Sequence, residues 1–210
     1  MFKSICALLA AAAVLIAVPV IAQATEEESG WCEPEEVTCF SGEEFPNPLV
    51  IDGTLSGALT AVVEKGPTIT CTASTTKDEY AAPQVAGGGK PVFGEFKSMT
   101  FDKCTTNNGN TNCTISADNL TWSSEALGSG KGDGNGTVTV TKNKKGDPGL
   151  TTSCVGGAAC SFTETKAVFP VVAGKVDATM EANKVVFKGA TCPKVELTAK
   201  WTLAGVRGIM

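Results

Sequence analysis

Cysteine is the residue type whose number and spacing carry the clearest chemistry in this 210-residue chain, which holds nine of them. Cys6 lies in an apolar N-terminal run; the other eight are Cys32, Cys39, Cys71, Cys104, Cys113, Cys154, Cys160 and Cys192. An even set in an exported chain reads as a disulfide framework, and no C-x-x-C spacing supports a zinc ribbon or a redox pair. Many connectivities are open to eight cysteines. Loop-closure entropy favours the local pairs Cys32 with Cys39, Cys104 with Cys113 and Cys154 with Cys160, which by elimination joins Cys71 to Cys192. There is no histidine. That removes Ser-His-Asp and Cys-His catalysis and every His-ligated metal site.

Carboxylates are the remaining catalytic currency. A glycosidase needs two of them flanking a cleft, and Asp102, Asp118 and Glu125 are candidates that no motif marks. Trp122, at a strand end after Asn119-Leu120-Thr121, is the candidate for a partly exposed ring that stacks on a sugar, whereas Trp201 falls on the apolar face of its strand. Asn112, Asn119 and Asn135 each open an N-x-Thr sequon. The glycine-rich stretch 128–136 lacks the Gly-Lys-Ser/Thr of a phosphate loop and the ligand spacing of an EF-hand, and reads as a flexible hairpin connection. No cofactor is expected.

The compartment follows from the N-terminus. Lys3, an uncharged run over residues 5–21 and the small-x-small pattern Ala22-Gln23-Ala24 form a signal peptide cleaved after Ala24. Pro19 and the following Glu26, Glu27 and Glu28 argue against a membrane anchor. The expected location is secreted, extracellular or cell-surface, with no membrane contact in the mature form. The formal net charge of -5 becomes more negative once Lys3 is removed, which leaves no footprint for nucleic acid. The basic cluster Lys142, Lys144 and Lys145 reads as a solvated turn.

The elements that would position these residues are strands. Val195, Leu197, Ala199, Trp201 and Leu203 alternate with Glu196, Thr198, Lys200 and Thr202, a period of 2 that buries one face. The same pattern marks 68–74, 112–117 and 137–141, with further strands at 53–63, 91–104, 150–155, 160–169, 175–180 and 184–188. Turn residues separate them, among them Lys65-Gly66-Pro67 and Glu181-Ala182-Asn183. The expectation is an all-β fold, an antiparallel β-sandwich or barrel of about ten short strands, after an N-terminal signal helix. Three regions follow: 1–24 signal, 25–48 an acidic irregular arm, and 49–210 the β domain. Two longer loops, 76–90 and 128–136, would carry binding.

The series Ile69-Thr70-Cys71, Met99-Thr100-Phe101, Cys113-Thr114-Ile115, Asn119-Leu120-Thr121-Trp122, Cys160-Ser161-Phe162 and Cys192-Pro193 resembles a family of uncharacterised secreted, threonine-rich β proteins common in actinobacteria. This chain has Thr121 where that family carries proline. The resemblance implies export, the β fold and six of the cysteines, and it brings no activity. The expected function is therefore that of a non-catalytic extracellular or cell-surface protein, structural, adhesive or binding, with an unidentified extracellular partner. A secreted carbohydrate-binding or inhibitor module is the alternative, using Trp122 and the two loops, and a carboxylate-dependent hydrolase comes third.

Overall fold

The computed structural model describes residues 30–32, 48–80, 90–107, 113–154, 159–189 and 192–209. The signal segment, Cys39 and Asn112 lie outside them. The described residues are all β, without a helix.

A two-residue strand β1 (Trp31–Cys32) is followed by eight long staves that run up and down around one barrel. The first is β2 (Leu49–Leu55) continued by β3 (Leu59–Val63); the second is β4 (Thr68–Ala73) continued by β5 (Thr75–Tyr80). The third joins β6 (Val92–Met99) to β7 (Asp102–Thr106), and the fourth joins β8 (Cys113–Asp118) to β9 (Trp122–Gly128). The fifth joins β10 (Gly136–Thr141) to β11 (Gly149–Cys154), and the sixth joins β12 (Cys160–Thr163) to β13 (Lys166–Val172). The last two are the unbroken strands β14 (Ala178–Gly189) and β15 (Lys194–Leu203), and β16 (Gly208–Ile209) ends the fold. Each break between paired strands falls at one level, so the barrel has a waist and two halves.

In one half the ring is complete: β15, β2, β5, β6, β9, β10, β13 and β14 pair in that order and β14 returns to β15, all antiparallel. Closure leaves no sheet edge there. In the other half β3, β4 and β7 extend from one side of β15, and β12, β11 and β8 from the side of β14. Among the described residues no ladder joins β7 to β8, so this half has a seam.

Alternation fills the interior. Phe96, Trp122, Phe169 and Trp201 are buried, with Phe96 stacked between Trp122 at 5.4 Å and Phe169 at 6.2 Å, and Phe169 meeting Trp201 edge-on at 6.4 Å. Leu59, Ile69, Leu150, Phe162, Phe187 and Leu197 fill the seamed half. The outward positions carry Asp52, Lys77, Glu95, Lys166 and Lys200. The interior is mainly apolar, and the outward charges stand beside exposed Val50, Val62, Leu127 and Val168.

Several expectations change. The predicted turn at Glu181-Ala182-Asn183 is a bulge inside β14. Ala182 faces Ala199 and Val185 faces Leu197, so three steps on β14 match two on β15, and the ladder absorbs one extra residue without breaking. The predicted loop 76–90 begins as strand β5, and the arm 25–48 contributes β1. The strand at 53–63 is interrupted at 56–58, and that at 91–104 at 100–101, where the staves cross the waist.

The disulfide pairing is also different: Cys71 bonds Cys104, Cys113 bonds Cys154 and Cys160 bonds Cys192. Register explains each correction. Cys71 lies directly opposite Cys104 on β4 and β7, and Cys113 directly opposite Cys154 on β8 and β11. In the β11–β12 hairpin Cys160 faces Thr152, which puts Cys154 two residues out of register with it. Cys104 and Cys113 flank the seam, where no ladder aligns them. Cys32 is disulfide-bonded as well; its expected partner Cys39 lies outside the described residues. The three bridges enclose separations of 33, 41 and 32 residues. In the chain-entropy view each contributes about 4 kcal/mol.

Candidate functional site

The site begins at the waist, where β8 passes to β9 and β10 passes to β11. Asn119 takes a positive φ of 59°, which asparagine tolerates, and the Leu120–Thr121 peptide is cis. The Asn119 amide donates to the Asp147 carbonyl at 2.8 Å. From the other side the Asn143 amide donates to the Asn119 carbonyl at 2.7 Å and to the Thr121 carbonyl. Its Oδ1 accepts from the backbone N–H groups of Lys145 (2.6 Å) and Gly146 (3.2 Å). Two asparagines thus latch the crossovers together, an Asx-type use of short amide side chains.

The latched turn carries Lys142, Lys144 and Lys145, all exposed. They line an open hollow of about 590 Å³ together with Glu95, Thr121, Ser123 and Asn143. Lys145 Nζ donates to the Leu120 carbonyl. Lys142 and Lys144 have no hydrogen-bond or ion-pair partner among the described residues. Glu95 is paired with Lys97, which also lies 3.8 Å from Glu79 and whose ammonium pKa is raised by its Glu95 hydrogen bond. The cluster read as a solvated turn is therefore one wall of a hollow. Spacing along the chain could not show this, because the opposite wall comes from β6 and β9.

Trp122 is not the exposed ring expected of it. It is fully buried, stacks on Phe96 and donates from Nε1 to the Asp118 carbonyl at 2.7 Å. Trp122, Ser124 and Ala126 form the inward face of β9, and polar Ser124 hides that face in the sequence. The exposed aromatic among the described residues is Phe93, 63% accessible on the outer face of β6 two residues before Glu95. Its signal was available in Val92-Phe93-Gly94-Glu95, where an aromatic alternates out of phase with Phe96.

The candidate carboxylates do not assemble. Asp118 accepts from the Thr151 hydroxyl, Asp102 lines a separate hollow beside the seam, and Glu125 sits on the outer face of β9 opposite Phe93. No hydrogen bond joins any two of them. The carboxylate in unusual surroundings is Asp78, which sequence reading passed over.

Asp78 points into the closed half with Tyr80, Ser124 and Trp31, and Asp78 Oδ1, Tyr80 Oη, Ser124 Oγ and Trp31 Nε1 are buried without a hydrogen-bond partner. Desolvation pushes the Asp78 pKa up to about 8, against a smaller pull down from the neighbouring Ser124 hydroxyl, and burial raises Tyr80 as well. Gly94 makes room: a Cβ there would fall 2.5 Å from Tyr80 Cδ1. Above the cluster β1 and β16 pair as a lid, with Trp31 opposite Ile209 and the Trp31 ring 5.6 Å from that of Tyr80.

The glycine-rich connection is a support for that lid. Gly130, Gly132 and Gly134 take positive φ, and Ile209 N–H donates to the Gly134 carbonyl at 2.7 Å. A Cβ on Gly208 would lie 2.2 Å from that same oxygen. Asp133 accepts from Ser129 Oγ (2.7 Å) and Asn135 N–H (3.0 Å), which holds its pKa down to about 2. Asn135 Oδ1 accepts from Ala173 N–H at 2.9 Å. The sequon side chains Asn119 and Asn135 are thus both engaged in the fold.

The architecture defines an all-β, disulfide-containing antiparallel barrel. No family model, curated protein or solved structure matches the chain.

Proposed function

We propose that the protein is an exported, non-catalytic scaffold that acts outside the cell or at its surface by holding a partner-binding face rigid. The waist carries this reading: two asparagines and a backbone-bound lysine fix a turn that offers two ammonium groups, unpaired among the described residues, beside an open hollow. A filled barrel interior favours a surface site over a luminal one. The disulfides suit an oxidising compartment, and the signal-like N-terminus supplies the route.

The test is expression of the whole chain, with its own N-terminus, in a secretion-competent bacterium. The expected product is extracellular, begins at Thr25, has no free thiol and is captured by extracellular polymers of the cell envelope. Retention in the cytosol with residues 1–24 still attached overturns the reading.

A further inference from the structure

We infer that the outer face of β6, β9 and the β10–β11 turn binds an acidic oligosaccharide, with its anionic group in the lysine hollow and a neighbouring sugar ring on Phe93. This rests on the reading of the protein as an extracellular scaffold and names the ligand class of its waist site.

Register places the parts on one surface. Glu95 on β6 lies directly opposite Ser123 on β9, and Ser123 directly opposite Thr141, the residue before Lys142. Phe93 precedes Glu95 by two residues on the same face, a separation of about 7 Å along the strand. The ligand therefore meets, in order, an aromatic ring, a carboxylate, two hydroxyl-bearing residues and a group of ammoniums.

Each part matches a feature of an acidic sugar. The axial face of a pyranose is apolar C–H surface, and an exposed phenyl ring receives it. Sugar hydroxyls donate to Glu95 and exchange hydrogen bonds with Ser123 and Thr121. A carboxylate or sulfate on the next residue is met by Lys142 and Lys144, whose charges no acid among the described residues neutralises. Lys97 is shared between Glu95 and Glu79, and Glu125 lies opposite Phe93, so the aromatic end of the face is acidic and the anion is confined to the lysine end of the hollow. The turn is already fixed by Asn143, so little ordering entropy opposes binding. In a chain of net charge -5, this local field of opposite sign also orients the approach of an anion.

The test uses the purified oxidised protein and titration calorimetry with a galacturonate oligomer, a sulfated galactan oligomer and a neutral glucan oligomer. Binding of one or both acidic oligomers, weakened by salt near 1 M where the Debye length is about 3 Å, is the expected result. Lys142→Ala with Lys144→Ala should lower that affinity about tenfold. Phe93→Ala should lower it about threefold for the oligomer and leave the weaker binding of the monomeric acid unchanged. Lys175→Ala with Lys188→Ala, which removes the same charge elsewhere, should have little effect. Silence toward both acidic oligomers at low salt overturns the inference, as does equal binding of the neutral one or an equal loss in the control variant. A secreted protein that is silent here sinks this inference alone, whereas a protein retained in the cytosol sinks the scaffold reading, and with it this inference, whatever the calorimetry shows.

Discussion

The two halves of the barrel are closed in different ways. The lidded half completes its ring of eight strands through hydrogen bonds, and its lid of β1 and β16, in which Cys32 is itself disulfide-bonded, covers buried polar groups. The seamed half leaves β7 and β8 unpaired with each other among the described residues, and the bridges Cys71–Cys104, Cys113–Cys154 and Cys160–Cys192 lie there, joining β4 to β7, β8 to β11, and β12 to the segment after β14. Where the ladder is continuous, backbone hydrogen bonds set the register; where it is interrupted, covalent links hold the edges. The lidded half is consequently the one sensitive to protonation, and reduction acts mainly on the seamed half, where three of the bridges lie, with Cys32 of the lid as a further point of attack.

The largest test of this contrast is Asp78. Its native pKa of about 8 stands above the ordinary 3.8, so between those values the folded state holds a proton that the unfolded chain has released. Stability should fall as pH rises from about 4 to about 8 and level off above that, by about 5 kcal/mol in total. Asp133, with its lowered pKa, acts only at the acid side of this window. Asp78→Asn should flatten the slope and raise stability most at pH 8, measured by urea melts across the range. An unchanged slope would show that the cluster does not control the lidded half.

Next comes the seam. Replacing Cys71 and Cys104 together by serine should cost about 4 kcal/mol. Hydrogen exchange should accelerate first in β4 and β7 while β9 and β10 keep their protection. Uniform acceleration would mean that the halves unfold as one unit. The smallest of the three effects is expected at the lid. Trp31→Ala removes a buried ring that packs on Tyr80 and should cost about 3 kcal/mol. It should also bring the Asp78 pKa back toward 4 as water reaches the cluster, followed by carboxyl NMR titration. A pKa that stays near 8 would show that the lid does not keep the cluster dry.

Legibility varied with the polarity of the inward face. β15 was plain in the sequence because Val195, Leu197, Ala199, Trp201 and Leu203 are all apolar and all inward. β5 was missed because two of its three inward residues, Thr76 and Asp78, are polar, which erases the alternation that marks a strand. β9 suffered in the same way through Ser124, and that misplaced Trp122 at the surface. In the candidate site the three lysines stood out as a cluster, but Phe93, Glu95 and Ser123 did not, since they come from other staves.

By itself the sequence determined the strand-rich class, the even cysteine set and the absence of histidine chemistry, because alternation and composition are local properties. Tertiary structure alone decided which cysteines meet, which tryptophan is hidden and which lysines face a hollow. Those outcomes depend on register between strands far apart in the chain, and a closed ring sets each register only when all its neighbours are in place.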